Sequence, residues 1–133
     1  MKNFFSQHFL NEFPLTPPVK AEQKLSILFS NAVNIQWYKQ NENYAVLFTF
    51  KNRDCMAVFS KTYEIILYKM LVPINNVPIH ILNAISDIGS ITNAVLIDKI
   101  GVSEYELICS TPNLKQVCVI LNSSGTIIMK TNL

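Results

Sequence analysis

The sequence predicts an α+β fold, built from two tandem α-β-β-β-β repeats that form one antiparallel sheet with the helices packed on one face. Three observations predict it. Half of the 133 residues are hydrophobic and only 15% are charged, which suits one domain with a large core. Short alternating apolar runs, typical of strands, are separated by Asn-rich polar turns. The pattern that follows Tyr44 returns at Tyr105, 61 residues later, which indicates an internal repeat.

The first predicted repeat spans about residues 18–71. Its helix is predicted at 18–31, with Thr16 as the N-cap and with Pro17 and Pro18 at its start. Polar turn residues then divide four strands. These strands are predicted at about 33–39, 44–51, 54–60 and 64–71.

The second predicted repeat spans about residues 78–131. Its helix covers about 78–88 and is expected to end at Gly89 in a left-handed C-cap. Its four strands are predicted at about 91–100, 103–111, 114–121 and 126–131. Residues 1–17 form an N-terminal arm, which precedes a single domain over 18–133.

The N-terminal arm is rich in aromatic residues. Their spacing roughly suits one helical stripe, made of Phe4, Phe5, Phe9, Leu10 and Phe13. We expect the arm to dock on its own domain, and disorder is the next alternative. Docking on a second copy or on a membrane surface stays open, although Lys2 alone would supply the usual attraction to anionic lipid.

One face of the first repeat is expected to be its core. If the segment 40–43 is a hairpin loop, Trp37 lies opposite Val46 and Ile35 lies opposite Phe48. Side chains alternate between the two faces of a sheet. The first face therefore collects Ile35, Trp37, Tyr44, Val46, Phe48, Phe50, Cys55, Ala57 and Phe59. We expect the helix at 18–31 to cover this face, so the aromatic run is core rather than a ligand platform.

The second face of the same strands is unusually apolar for an antiparallel sheet that is solvated on one side. The candidate partner-binding residues on it are Tyr38, Leu47, Thr49, Met56 and Val58. The second repeat is expected to present Ile108, Val117, Val119 and Leu121 on the matching side. A partly buried groove, a homodimer interface and a docking site for another protein each explain such a face.

The sequence predicts no catalytic residue, no metal site and no cofactor, and so a protein that is not an enzyme. Cys55, Cys109 and Cys118 form no Cys-x-x-Cys pair, and His8 and His80 lie far from them in sequence. We expect three free thiols that behave as small hydrophobes. Across the predicted hairpin, Cys109 and Cys118 are diagonal neighbours with Cα atoms about 7–8 Å apart, too far for a relaxed disulfide. We expect His80 to have a structural role.

Charge and hydropathy exclude two further classes of partner. The net charge of +2 is small and scattered along the chain, which argues against nucleic acid. No run reaches the ~20 apolar residues that a membrane span needs. No export signal is visible either, because Ser6, Gln7 and His8 interrupt the apolar start of the chain.

The stretch Phe29-SNAVNIQWYKQNENYAVLF resembles the repeat of the PepSY-like domains, a family also described as similar to beta-lactamase inhibitor protein. The residues that carry this resemblance are Trp37, Tyr44, Val46 and Phe48, with an echo at Tyr105, Leu107 and Cys109. It covers about residues 18–131. The chain departs from the family at the turn 52–54, where family members have glycine, and in the apolar character of its second face.

The resemblance implies a small, non-enzymatic bacterial module that works in the periplasm or outside the cell. It also implies a role in binding another protein, with inhibition of a protease or other protein as the finer expectation. Two alternatives stand beside it. The chain forms a structural homodimer through its second face, or it carries a small apolar ligand between the sheet and the arm.

Overall fold

The computed structural model describes residues 2–133. Eight antiparallel strands form one open sheet in which the strand order follows the chain from β1 to β8, and short helices accompany it. The predicted α+β class is therefore confirmed. The chain divides into two compact units that meet between Met70 and Leu71 in sequence. The division into an arm (1–17) and one domain (18–133) stays a prediction.

The elements lie close to their predicted positions. A 3-10 helix in the arm, called the arm helix below, spans Phe4–Phe9, and a second short 3-10 helix spans Ile74–Asn76. The two α-helices are α1 (Val19–Leu28) and α2 (Ile79–Ala84). The strands of the first unit are β1 (Val33–Gln40), β2 (Asn43–Phe50), β3 (Arg53–Phe59) and β4 (Ile65–Val72), where β4 ends just inside the second unit. The others are β5 (Ser90–Lys99), β6 (Val102–Ser110), β7 (Gln116–Asn122) and β8 (Ile127–Asn132).

Helix α1 is shorter than predicted at both ends. Pro18 is its N-cap and offers no side-chain hydrogen bond, so the predicted cap at Thr16 is wrong. The helix ends where the Phe29 N–H donates to the Leu25 carbonyl, and Asn31 then adopts a left-handed conformation with φ 68°. Asparagine tolerates that conformation because its side chain is short and polar, so the chain turns into β1 at this point.

Gly89 is required for close packing rather than for a helix cap. Helix α2 already ends at Ala84, and Gly89 is not left-handed, so the predicted C-cap is wrong. A Cβ atom at Gly89 would overlap the Ser110 carbonyl group, with the carbonyl carbon at 2.8 Å. Only glycine lets the start of β5 lie this close to the backbone at the end of β6.

The core of the first unit lies between α1 and the first face of its sheet. Ala21, Leu25 and Phe29 pack on side chains that were predicted for this face, namely Trp37, Val46, Phe48, Cys55, Ala57 and Phe59. The Phe29 ring is central, because its centroid lies 4.8 Å from that of Phe48 and 5.5 Å from that of Phe50. Each fully buried aromatic ring of this kind stabilises the fold by about 2–3 kcal/mol.

Ile35 is the exception on the first face, because it is exposed. Trp37 pairs with Val46 as predicted, but the pairing of β1 with β2 is irregular between Val33 and Gln36. Asn34 adopts φ 54° within this irregular stretch. The predicted pairing of Ile35 with Phe48 is therefore wrong, since the irregularity breaks the alternation of side chains.

In the second unit, the β7 side chains predicted for the second face lie in the core instead. Val117, Val119 and Leu121 belong to the cluster that also contains Leu107 and Cys109. The cluster is completed by Val77, Ile81, Ile85 and Ala94. The three β7 residues therefore lie on the face that corresponds to the core of the first unit, and not on the second face as expected.

A single extra loop residue explains this error. The loop between β2 and β3 has two residues, Lys51 and Asn52, both left-handed. The loop between β6 and β7 closes where the Thr111 N–H donates to the Lys115 carbonyl over 2.8 Å, and so contains three residues. Its last residue, Leu114, has φ 61°. A shift of one residue moves every side chain of a strand to the other face.

The same shift changes the cysteine geometry. Cys109 pairs with Val117 and Cys118 pairs with Ile108. Because Val117 and Cys118 are consecutive, the Cys109 and Cys118 side chains point to opposite faces. The predicted diagonal arrangement is wrong, and a disulfide between these two thiols is excluded by their direction.

Replacement of Gly89 tests the close approach at Ser110. We expect Gly89→Ala to lower the free energy of unfolding by about 2 kcal/mol or more, because the added methyl group meets backbone that cannot rotate away. The matched control is Gly101→Ala, since Gly101 is left-handed but has open space around its Cα. That control should lose only about 1 kcal/mol. Urea denaturation of both variants measures the difference, and equal losses would contradict the steric explanation.

Candidate functional site

The second face of the first unit is the candidate functional site. Ala45 lies between Tyr38 of β1 and Val58 of β3, and Leu47 pairs with Met56. Thr49 pairs with Asp54 at the end of the same face. The register therefore brings all five predicted partner-binding residues onto one face.

The arm helix is anchored to this face by hydrogen bonds from its first turn. The Asn3 amide donates to the Phe48 carbonyl over 3.0 Å and to the Cys55 carbonyl over 3.3 Å. Its side-chain oxygen accepts from the Phe5 N–H, so Asn3 also caps the helix. The Phe4 N–H donates to the Asp54 carboxylate over 2.8 Å. These bonds tie residues that are 45 to 52 positions apart in the chain.

Two aromatic rings complete the docking of the arm. Phe5 is fully buried, and Phe9 stacks on Tyr38 with ring centroids 4.6 Å apart and an interplanar angle of 14°. The expectation that the arm docks on its own domain is confirmed. The predicted stripe of five is wrong for Leu10 and Phe13, which are exposed. The arm helix has three residues per turn and ends at Phe9, so the α-helical spacing does not apply to them.

The apolar second face is largely covered in this structure. Tyr38, Leu47, Met56 and Val58 are only 2% to 6% exposed, and Thr49 is half-buried. Of the explanations given for this face, the partly buried groove describes these residues, and the open apolar sheet face is wrong for them. Apolar side chains on both faces of a sheet require a cover on both faces. The apolar character of these residues, which made them candidates for partner binding, therefore also explains why they are buried. Their role in partner binding stays a prediction.

One part of the second face stays accessible beside the arm. A cleft of about 440 Å³, called the arm cleft below, lies between the arm and strands β1 to β3. Tyr38, Leu47 and Thr49 line it from the sheet, and Phe9 and Leu10 line it from the arm. Met56 and Val58 do not line it. The polar residues around it are Lys2, Asn3, Ser6, Glu12, Asn34, Gln36 and Asp54.

Sequence reasoning missed Asn3, which holds the arm in place. The available signal was its position before Phe4 and Phe5, since asparagine is a favoured N-cap residue. Asp54 pairs with Thr49 on the second face, but the sequence did not indicate its partner in the arm. No periodicity within the arm indicates which carboxylate, 50 residues away, will accept the Phe4 N–H.

The buried thiols are protonated at neutral pH. Burial raises the pKa of Cys55 to about 12, and the nearby Asp54 carboxylate adds to the effect. Burial also raises the pKa of the Cys109 thiol. A thiol reacts as its thiolate, so neither side chain is prepared for nucleophilic chemistry. Both serve as small apolar core residues.

His80, the histidine expected to have a structural role, contacts the backbone of a nearby turn. His80 Nε2 lies 2.8 Å from the Ser123 carbonyl oxygen, which fits a ring N–H that donates a hydrogen bond to that carbonyl. Across residues 2–133, no three His, Cys, Asp or Glu side chains are grouped as metal ligands. Within the same range, every helix is too short or too polar to cross a bilayer.

Two phenylalanines of the arm offer a matched test of its docking. Phe9 is 5% exposed and Phe13 is 90% exposed. We expect Phe9→Ala to lower the free energy of unfolding by about 1–3 kcal/mol, a loss limited by the ability of the arm to detach on its own. Phe13→Ala should stay within about 0.5 kcal/mol of the parent. Chemical denaturation monitored by Trp37 fluorescence measures both, and a comparable loss in the two variants would contradict the docking.

Comparisons with known proteins identify the fold. No protein-family model matches the sequence, and no curated protein matches it. The fold is similar to that of a BLIP-like protein from Bacteroides fragilis, with a TM-score of 0.76 and 17% identity over 90% of this chain and 88% of that chain. A DUF2874 family protein from Bacteroides uniformis is similar with a TM-score of 0.79 and 18% identity, over 88% of this chain and 90% of that chain.

A third solved structure is similar over the same length. It is a protein from Bacteroides eggerthii described as "putative periplasmic", with a TM-score of 0.80 and 17% identity over 89% of this chain and 90% of that chain. At such identities the likeness establishes the fold alone. The expected BLIP-like fold is therefore confirmed, and the PepSY part of the resemblance stays a prediction.

Proposed function

We propose that this chain is a non-enzymatic protein-binding module that receives its partner at the arm cleft. The observation that carries the proposal is the cleft of about 440 Å³ at which the arm meets Tyr38, Leu47 and Thr49. A cleft of this size takes up a few side chains of a partner or one small molecule. The fold likeness to a BLIP-like protein supports a protein partner.

The lining of the arm cleft indicates what kind of segment fits it. Leu10, which is 69% exposed, offers apolar surface above a nearly buried floor of Tyr38 and Leu47, whereas Lys2 and Glu12 bring charges of opposite sign. A partner segment that inserts an apolar side chain and keeps polar neighbours at the rim would match both features. Polar groups that enter the cleft need hydrogen-bond partners, and Thr49 supplies one from the sheet.

We propose that the partner also binds Met56 and Val58, which do not line the arm cleft. The arm helix packs on β3, which carries Met56 and Val58. A partner contacts these two side chains only after the arm helix has moved. The contacts of the arm helix include the Asn3 and Phe4 hydrogen bonds and the Phe5 and Phe9 rings, and a competing segment with similar groups would replace the arm by making the same contacts.

Inhibition of a protease or another protein is the functional form that the family resemblance implies for this binding. The likeness to a protein described as "putative periplasmic" supports a periplasmic location for the chain.

A site-specific cross-linking experiment tests the proposal. A photoreactive amino acid replaces Leu10, which lines the arm cleft, or Phe13, which is exposed on the same arm but does not line it. We expect a discrete adduct with another protein in extracts of the host organism for the Leu10 probe alone. Adding Thr49→Arg should abolish that adduct, because the longer side chain fills the cleft.

The outcomes separate the alternatives. Equal adducts from the two probes, or an adduct that survives Thr49→Arg in a folded variant, would overturn binding at the arm cleft. An adduct with a small molecule in place of a protein would support the ligand carrier. An adduct between two copies of the chain would support the homodimer that uses the second face.

A further inference from the structure

Strand β8 presents an open edge of the sheet. It is the last strand in the sheet order and pairs with β7. All six of its residues are exposed, including Ile127, Ile128 and Met129, the last of which is 54% exposed. An exposed edge strand with apolar side chains is a template for pairing with another strand.

The hydrogen-bond pattern shows which backbone groups face outward. The Leu133 N–H donates to the Gln116 carbonyl over 3.0 Å, so the peptide groups of Leu133 point toward β7. Residues alternate in this respect along an antiparallel strand. The register of Asn132 with Val117 and of Lys130 with Val119 continues without interruption. The N–H and C=O groups of Lys130 and Asn132 therefore point away from the sheet.

The other edge strand is protected by the chain itself. The Leu15 N–H donates to the Trp37 carbonyl over 2.9 Å and forms a short bridge along β1. Pro14 and Pro17 flank this bridge, and β1 is irregular between Val33 and Gln36. Proline and irregular pairing both discourage strand addition. Pairing between a β8 edge and a β1 edge, which would build filaments, is therefore disfavoured.

The sequence of β8 is compatible with pairing to itself. In an antiparallel pair centred on Thr131, Lys130 of one copy lies opposite Asn132 of the other, so the outward-facing groups of both meet. The same register places Met129 opposite Leu133 and avoids Lys130 against Lys130, which like charges disfavour. The charge of +2 on each chain adds little repulsion between copies.

We propose that two copies of this chain associate through their β8 edges in an antiparallel pair centred on Thr131. The occupant of the edge is a second copy because the pairing is twofold symmetric and satisfies the same groups on both chains. The contact is short and lies well below the ~1,000 Å² of a stable interface. The dimer is therefore weak, and its population rises with protein concentration. It uses the second unit and is independent of the arm cleft.

Disulfide trapping tests the register directly. Thr131→Cys places two thiols opposite each other across the twofold axis, whereas Met129→Cys places them about four residues apart along the strands. Both variants need Cys118→Ala as background, because Cys118 lies directly opposite Thr131 within the chain. With oxidised glutathione, we expect a covalent dimer for Thr131→Cys and almost none for Met129→Cys. Equal trapping of the two, or no trapping of Thr131→Cys, would overturn the proposal.

Sedimentation equilibrium on the chain without added cysteines supplies an independent measurement. Asn132→Pro removes an outward N–H and leaves the pairing with β7 intact, so we expect the dimer dissociation constant to rise about tenfold or more. Gln116→Ala changes a side chain of β7, which is not an edge strand, and is the control. It should leave the dimer dissociation constant unchanged within about threefold. A protein that stays monomeric at all concentrations, or an Asn132→Pro variant that associates as the parent does, would overturn the proposal.

Discussion

Apolar side chains on both faces of β2 and β3 are the constraint on which the first unit depends. Val46 and Phe48 point to one face, and Ala45 and Leu47 point to the other, and all four are buried. A sheet with two apolar faces needs two covers, because each exposed face would leave large apolar area in water. Helix α1 supplies one cover and the arm helix supplies the other. The position of the arm follows from this requirement.

The arm buries the second face, and its own polar groups form hydrogen bonds as it docks. Asn3 uses one side chain to cap the arm helix and to bond two carbonyls of the sheet. The Phe4 N–H, which would lack a partner at a helix N-terminus, finds the Asp54 carboxylate. Phe5 and Phe9 therefore become buried while the Asn3 side chain and the Phe4 N–H beside them keep hydrogen-bond partners. What the arm leaves uncovered is the arm cleft, where the proposed function lies.

Much of the fold could be predicted from alternation and turn chemistry. Each of the eight strands lies within two residues of its expected bounds, and the alignment of Tyr44 with Tyr105 places Val46 and Leu107 in corresponding cores. The predicted face of β7 was wrong because the loop between β6 and β7 has one residue more than the loop between β2 and β3. No recognisable turn residue marks that extra position. Leu114 occupies a left-handed position that glycine usually fills, so the longer loop was not visible and β7 was read one residue out of register.

The candidate site could be predicted only in part. Alternation placed Tyr38, Leu47, Thr49, Met56 and Val58 on one face, but could not show what covers it. Coverage depends on contacts between segments about 50 residues apart, such as Asn3 with Cys55, and local patterns carry no information about such pairs. Gly89 was misread for a similar reason, because the backbone that it approaches lies at Ser110, in another strand.

The docking of the arm on the second face is the central claim, and solution NMR tests it most directly. The account predicts nuclear Overhauser contacts between the ring protons of Phe9 and Tyr38, whose centroids lie 4.6 Å apart. It also predicts slow exchange of the Phe4 amide proton, which is bonded to Asp54. Absence of those contacts, together with arm amides that exchange as fast as in an unstructured peptide, would contradict it.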